Sequence, residues 1–271
     1  MPRNDRLEYV QHGSVPGRFK AIVGRTGKPV LTSMTVCRSI PLQHGDVVVD
    51  LGAYVGQYAL AAARLPVKKV IAYEPTPDTY RILAESAQPN LEVVNAAVVA
   101  DERESVDFYI SAGIGVSNSV VLKRGKERRV TVPAVSYEEA VRGATVVKID
   151  VEGAEYTYPI VQPSLRAIMI DFHPIRGRRW VERAQEIMSE IEAAGFTPVV
   201  VPKFKSGFDS DTAASFVRDL PVEGGFEPMM SGEMCCGCGA EIRGDGRSLC
   251  SSCWELWSKK HREGFTLASE K

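Results

Sequence analysis

The chain has 271 residues, 44% hydrophobic and 25% charged, with 33 Lys and Arg against 34 Asp and Glu and a net charge of -1. That balance excludes a wholly disordered chain and leaves room for one large domain with a small appendage, or for two ordinary domains. It supplies no basic field to draw in nucleic acid or anionic lipid, and no apolar run approaches the ~20 residues that span a bilayer. Met1 to Arg6 carry no apolar signal-peptide core, so the expected location is cytoplasmic, with no membrane insertion and no nucleic-acid partner.

In chain order, residues 1–45 read as an N-terminal extension. Phe19 to Val23 and Val30 to Ile40 form short strands or a hairpin, with Gly24 and Gly27-Lys28-Pro29 at the turn. Val47 to Leu51 is an apolar run without alternation, the mark of a strand buried on both faces. A helix over Gln57 to Leu65 follows, then a strand, Lys69 to Glu74. Pro75-Thr76-Pro77 opens a helix over Asp78 to Ala87, and Leu91 to Val99 is the third strand.

Residues 105–135 break the alternation, with short strands at Val106 to Ile110 and Arg129 to Val132 around a polar segment. A short helix at Tyr137 to Val141 precedes buried strands at Val146 to Asp150 and Ala167 to Phe172. Trp180 to Ala194 is an amphipathic helix that stops at Gly195, and Thr197 to Val201 with Ser215 to Arg218 make a closing pair. Strands alternating with helices predict an α/β, Rossmann-like parallel sheet with helices on both faces, whose ligands lie beyond the carboxyl ends of the strands. Asp50, Glu74, Asn95, Asp150 and Asp171 all fall at or near such ends.

Asp50-Leu51-Gly52-Ala53-Tyr54-Val55-Gly56 ends the first buried strand. Gly52 permits a sharp turn and close approach to a ligand, and Gly56 lets the next helix pack near the strand. Glu74, at the end of the second strand, has the chemistry to accept hydrogen bonds from both hydroxyls of a ribose. A dinucleotide site needs G-x-G-x-x-G, and position 54 is Tyr. An acid at position 50 repels a pyrophosphate and suits a cationic cofactor; S-adenosylmethionine carries a sulfonium and an ammonium. Asp50, Gly52, Ala53, Tyr54, Gly56, Glu74 and Asn95 are therefore the candidate cofactor-binding residues.

The same loop continued through Gln57-Tyr58, together with Tyr73-Glu74-Pro75, Asn118-Ser119 and Lys148-Ile149-Asp150-Val151-Glu152-Gly153-Ala154-Glu155, resembles the FkbM family of S-adenosylmethionine-dependent methyltransferases. The likeness covers about residues 45–200. It implies a seven-stranded methyltransferase sheet and methyl transfer, often to a hydroxyl of a sugar or natural product. Asp50, Gly52 and Gly56 match the family's cofactor loop, Glu74 its ribose-binding acid, and Asp150, Glu152 and Glu155 its acidic signature. Tyr54 stands where the family often has Asn, Asp171 where Glu is common, and Pro159 and Pro163 interrupt the helix after Asp150.

Methyl transfer is an in-line displacement, so the enzyme chiefly aligns the reactants; a hydroxyl acceptor also needs a base. Asp150 and His173 are the catalytic candidates, against an anchoring role for Asp150 and a structural one for His173. Gly113 to Ser119 is a candidate cover for a small-molecule or glycan acceptor. Arg176, Arg178 and Arg179 read as a solvated helix start, or as a contact for an anionic acceptor. The chemistry requires no metal at this centre, and Asp150 with Glu152 is a poor carboxylate pair for one.

Cys235-x-x-Cys238, eleven residues, then Cys250-x-x-Cys253 has the spacing of a structural Zn2+ site, with Cys236 a spare thiol or a substitute for Cys235. The module resembles a zinc ribbon or treble clef and is expected to serve the fold or a protein partner. The expected division is 1–45 extension, 46–221 methyltransferase domain, 222–234 linker, and 235–271 zinc module and tail. Two other readings remain open. One is a catalytically degenerate methyltransferase fold acting as a binding or adaptor module through its finger. The other is a dinucleotide-dependent oxidoreductase, which the glycine spacing disfavours.

Overall fold

A computed structural model of the chain describes residues 6–12, 15–23, 40–110, 118–121, 128–175, 179–202, 204 and 212–218. All but the last residue of the expected strand over Val30 to Ile40, the linker, Arg176, Arg178 and the whole four-cysteine module lie outside the described residues.

Seven strands form the central sheet: β3 (Val47–Leu51), β4 (Lys69–Tyr73), β5 (Leu91–Val94), β9 (Val146–Ile149), β10 (Ala167–Asp171), β11 (Thr197–Val200) and β12 (Ala213–Val217), in the order β11-β12-β10-β9-β3-β4-β5. The five strands from β10 to β5 are parallel; β12 runs antiparallel to both its neighbours. The apolar runs fill both faces as their composition requires. Val48, Val70, Val146 and Met169 pack against α1 (Gln57–Ala62) and α2 (Pro77–Ala84), while Val49, Val147, Ile149 and Ile168 pack against α3 (Tyr137–Ala140) and α4 (Trp180–Ala193). Each fully buried Val or Ile contributes about 1.5–3 kcal/mol. This is the Rossmann-like methyltransferase fold. Among the described residues no helix is long and apolar enough to cross a membrane.

One expectation is corrected. The run over Leu91 to Val99 is two strands. β5 stays in the main sheet, whereas β6 (Ala97–Val99) pairs with β8 (Arg128–Ser136) in a second sheet of order β6-β8-β7, where β7 is Ser105–Ile110. Asn95 marks the break: its side chain donates to the carbonyls of Glu74 and Pro75, at 2.8 and 3.1 Å. The expected strand over Phe19 to Val23 lies within β2 (Val15–Val23), which pairs antiparallel with β1 (Arg6–His12). The expected closing pair is present: β11 and β12 run antiparallel at the edge of the sheet, with β12 beside β10.

Chain order reverses across the sheet at β3, with β4 on one side and β9 on the other. Diverging connections open a crevice above the carboxyl ends at that point. The second sheet, inserted between β5 and β9, supplies one wall of it through Val98 and Phe108.

Candidate active site

The crevice is a cleft of about 680 Å³, measured out to its open mouth. Its lining includes Gly52, Tyr54, Tyr73, Glu74 and Thr76 from the first two strand ends, Asp150, Val151 and Glu152 from the third, and Asn118 and Val120 from the wall. Of the residues expected to bind cofactor, Gly52, Tyr54 and Glu74 line it; Asp50, Ala53, Gly56 and Asn95 stand behind it.

The turn after β3 is tightly built. Gly52 and Ala53 both donate their backbone N–H to the Tyr73 carbonyl at 3.0 Å. Gly52 has φ +77°, and a Cβ there would lie 1.9 Å from the Asp150 carbonyl oxygen. Backbone cannot move aside cheaply, so Gly52→Ala is expected to cost roughly 2–4 kcal/mol in strain and overpacking. Chemical denaturation measures that loss, and a variant as stable as the parent would mean the strand ends can separate. Gly56, at φ +86°, is needed for a different neighbour than expected. Its Cβ would strike Leu83 of α2 at 2.1 Å, so it clears a helix rather than the strand.

Tyr54 adopts φ +53°, a left-handed conformation that costs a bulky residue energy. Its N–H donates to Glu74 Oε2 at 2.8 Å, and its ring joins the apolar cluster on the α1 face with 6% exposure. Glu74 Oε1 accepts from the Thr76 N–H at 2.8 Å and from Thr79 Oγ1 at 2.7 Å. A carboxylate offers about four acceptor positions. Three are taken, which leaves about one for a ribose hydroxyl. A second becomes available because Thr79 Oγ1 also lies 3.0 Å from the Thr76 carbonyl and can turn to it. Burial raises the Glu74 pKa against the opposing effect of these hydrogen bonds.

Asp50 is fully buried beneath the cleft floor. It sits directly across from Lys148 in the β3–β9 register, and Lys148 Nζ donates to Asp50 Oδ1 at 2.9 Å. Lys148 Nζ is also 3.4 Å from Asp150 Oδ2. The structure thus gives Asp50 a protein cation as its partner. In the sequence Lys148 only opens the Lys148-to-Glu155 stretch, with no partner assigned to it. The signal was present all the same: a lysine in the fully buried strand Val146–Ile149 demands a partner acid.

Asp150 and His173 do come together, with Nε2 of His173 3.5 Å from Asp150 Oδ1. Asp150 lines the cleft and His173 stands behind it. Glu155, wholly buried, fixes the histidine: its Oε1 accepts the His173 backbone N–H at 2.7 Å and lies 3.3 Å from Nδ1. Burial alone would lower the His173 pKa, but Glu155, Glu152 and Asp150 together hold it well above the ordinary imidazole value. Glu152, at φ +55°, is held through its carbonyl, which accepts from the buried Ser119 Oγ at 2.7 Å. Asn118 donates to Thr76 Oγ1 at 3.0 Å. After Asp150 the chain makes only a 3-10 turn, Ala154–Thr157, in keeping with the prolines that follow.

A strand-end cleft at the order reversal, glycine-floored and bearing a buried acid at the end of the second strand, is where Rossmann-like folds hold a ribose-bearing ligand. Residues 50–198, more than half of the chain, match the Methyltransferase FkbM domain, and the chain belongs to that family. It is accordingly an S-adenosylmethionine-dependent methyltransferase. Among solved structures it is similar to the SAM-dependent methyltransferase from Agrobacterium tumefaciens, at 11% identity over 79% of this chain and 71% of that one, with a TM-score of 0.44. It is also similar to precorrin-6y C5,15-methyltransferase from Geobacter metallireducens GS-15, at 13% identity over 68% and 86%, with a TM-score of 0.38. Among curated proteins no match is found.

The residues present fit that cofactor. Glu74 keeps acceptor capacity for a ribose hydroxyl, and Gly52 puts no side chain into the cleft it lines.

Proposed function

We propose that this chain methylates a hydroxyl oxygen of a sugar or another small polar acceptor. The observation that supports the reading is the placement of the Asp150 carboxylate, 16% exposed, on the wall of the same cleft that carries Glu74. When bound, S-adenosylmethionine supplies a methyl carbon already activated by the sulfonium. The protein's residues then have four tasks. Glu74 accepts from the ribose, with Thr79 turning away to free Oε1. Gly52 lets the backbone approach. Phe108, Val98 and Val120 exclude water from the wall. Asp150 takes the acceptor's hydroxyl proton, held in place by Lys148 and His173.

Asn118 and Glu152 offer polar atoms to a polar acceptor. The four-cysteine spacing supports, as part of the same proposal, a structural Zn2+ held by Cys235, Cys238, Cys250 and Cys253 and a protein-contact role for that module.

Calorimetry with S-adenosylmethionine and with NAD, followed by a labelled-methyl assay on a panel of hydroxylated acceptors, tests the reading. The expected result is binding of the first compound alone and label recovered as a methyl ether. Binding of neither would favour a degenerate core acting as an adaptor. Label recovered on nitrogen or carbon would overturn the choice of oxygen.

A further inference from the structure

Asp150 on the cleft wall has two further ligating side chains beside it, Asp171 and His173. β9 and β10 are parallel neighbours with Ile149 opposite Ile170, so Asp150, just past β9, and Asp171, the last residue of β10, come next in the same register. His173 follows two residues later. One ligating atom from each of Asp150, Asp171 and His173 lies within 4.8 Å of the others, and all three side chains are partly open to solvent.

The ligand atoms are held from outside the group. Thr212 Oγ1 donates to Asp171 Oδ1 at 2.6 Å. Glu155 engages the backbone N–H and Nδ1 of His173, which directs Nε2 toward Asp150 and Glu152. A carboxylate behind one imidazole nitrogen, with the other nitrogen turned to a cluster of oxygens, is the outer support that metal-binding histidines carry.

Nε2 of His173 stands 3.5 Å from Asp150 Oδ1. Adjacent ligands of an octahedral ion bonded at about 2.1 Å stand roughly 3.0 Å apart, so a small inward turn of the two side chains closes them on one ion.

We infer that Asp150, Asp171 and His173 bind a divalent cation of the Mg2+ or Mn2+ class at the edge of the cofactor cleft, with open positions for an acceptor oxygen. Two carboxylates and one imidazole suit a hard to borderline ion, and three protein ligands leave about three positions of an octahedron for water and acceptor. The ion and a second imidazole proton are alternatives at the same nitrogen. The acceptor's place at the ion rests on the function proposed above; the binding of the ion does not. Asp150 with Glu152 is a poor pair in the sequence; the sheet register supplies Asp171 instead.

Mn2+ is the probe, because its electron paramagnetic resonance signal reports binding without turnover. The full chain, exchanged into metal-free buffer, is titrated with Mn2+, beside Asp171→Asn and a Cys235→Ser/Cys238→Ser variant. Asp171→Asn keeps an oxygen for Thr212 and loses only a ligand. The expected result is one Mn2+ bound by the parent, at least about tenfold weaker binding in Asp171→Asn, and no change in the cysteine variant.

No binding by the parent at up to about 1 mM Mn2+, the weak end of the range for carboxylate cation sites, would overturn the inference. So would equal binding by parent and Asp171→Asn, or loss confined to the cysteine variant. S-adenosylmethionine affinity measured on the same samples separates the two readings. If the cofactor binds and Mn2+ does not, the cation site alone falls. Should the cofactor also fail to bind, the methyl-transfer reading falls with it.

Discussion

Lys148→Met is expected to destabilise the domain by about 3–5 kcal/mol, the cost of leaving a buried acid without its cation. Asp50 is fully buried, its Oδ1 is held by Lys148, and its Oδ2 has no hydrogen-bond partner among the described residues. Burial already raises the Asp50 pKa, even with Lys148 opposing the shift. Removing the lysine raises it further, so the folded variant binds a proton that the unfolded chain, with its carboxyl near 3.8, gives up. Stability therefore rises as pH falls through the folded pKa, and the deficit shrinks toward that lower value. Urea melts of Lys148→Met across pH, beside the double variant Asp50→Asn/Lys148→Met, check this. The double variant should recover a large share of the loss, because it buries no unpaired charge. A double variant as unstable as the single one would show that Lys148 matters for packing and not for charge.

Asp150→Asn is expected to lower turnover by about 10²–10⁴-fold with little change in cofactor affinity. The substitution keeps the shape of the side chain, and the Asp150 carbonyl that packs on Gly52 is untouched. Glu74 follows β4, two strands away from β9, and its bonds to Tyr54, Thr76 and Thr79 are untouched. Rapid-quench kinetics together with calorimetry read the two quantities separately. Unchanged turnover would take Asp150 out of the chemistry. Since Asp150 is given both a proton-accepting and a cation-binding duty, its variant reports their sum. Asp171→Asn, which carries only the second, divides them.

Much of this site was legible in the residues. The apolar runs ending in Asp50, Glu74 and Asp150 announced buried parallel strands, and Gly52 marked the close approach that the Asp150 carbonyl makes. What escaped reading depended on register between segments far apart in the chain. Lys148 meets Asp50 across 98 residues because β3 and β9 are neighbours in one particular alignment. Asp171 joins Asp150 for the same kind of reason. The division of Leu91 to Val99 was hidden for a local cause: both halves are apolar, and only the Asn95 side chain, bonded to the carbonyls of Glu74 and Pro75, betrays the turn. The Thr76 and Thr79 contacts to Glu74 were missed because threonines at a helix start are ordinary capping residues.

The entry of β12 between β10 and β11 has a consequence for how the chain emerges from the ribosome. β11 is made before the strand that joins it to the sheet, so it must wait, unpaired along that side, until residue 217 has been added. During that interval β10 also shows a bare edge of buried, apolar character, the kind of surface on which nascent chains stick to one another. Translation speed over residues 201–217, and the chaperones at hand while they appear, therefore bear on yield as directly as any contact in the finished molecule.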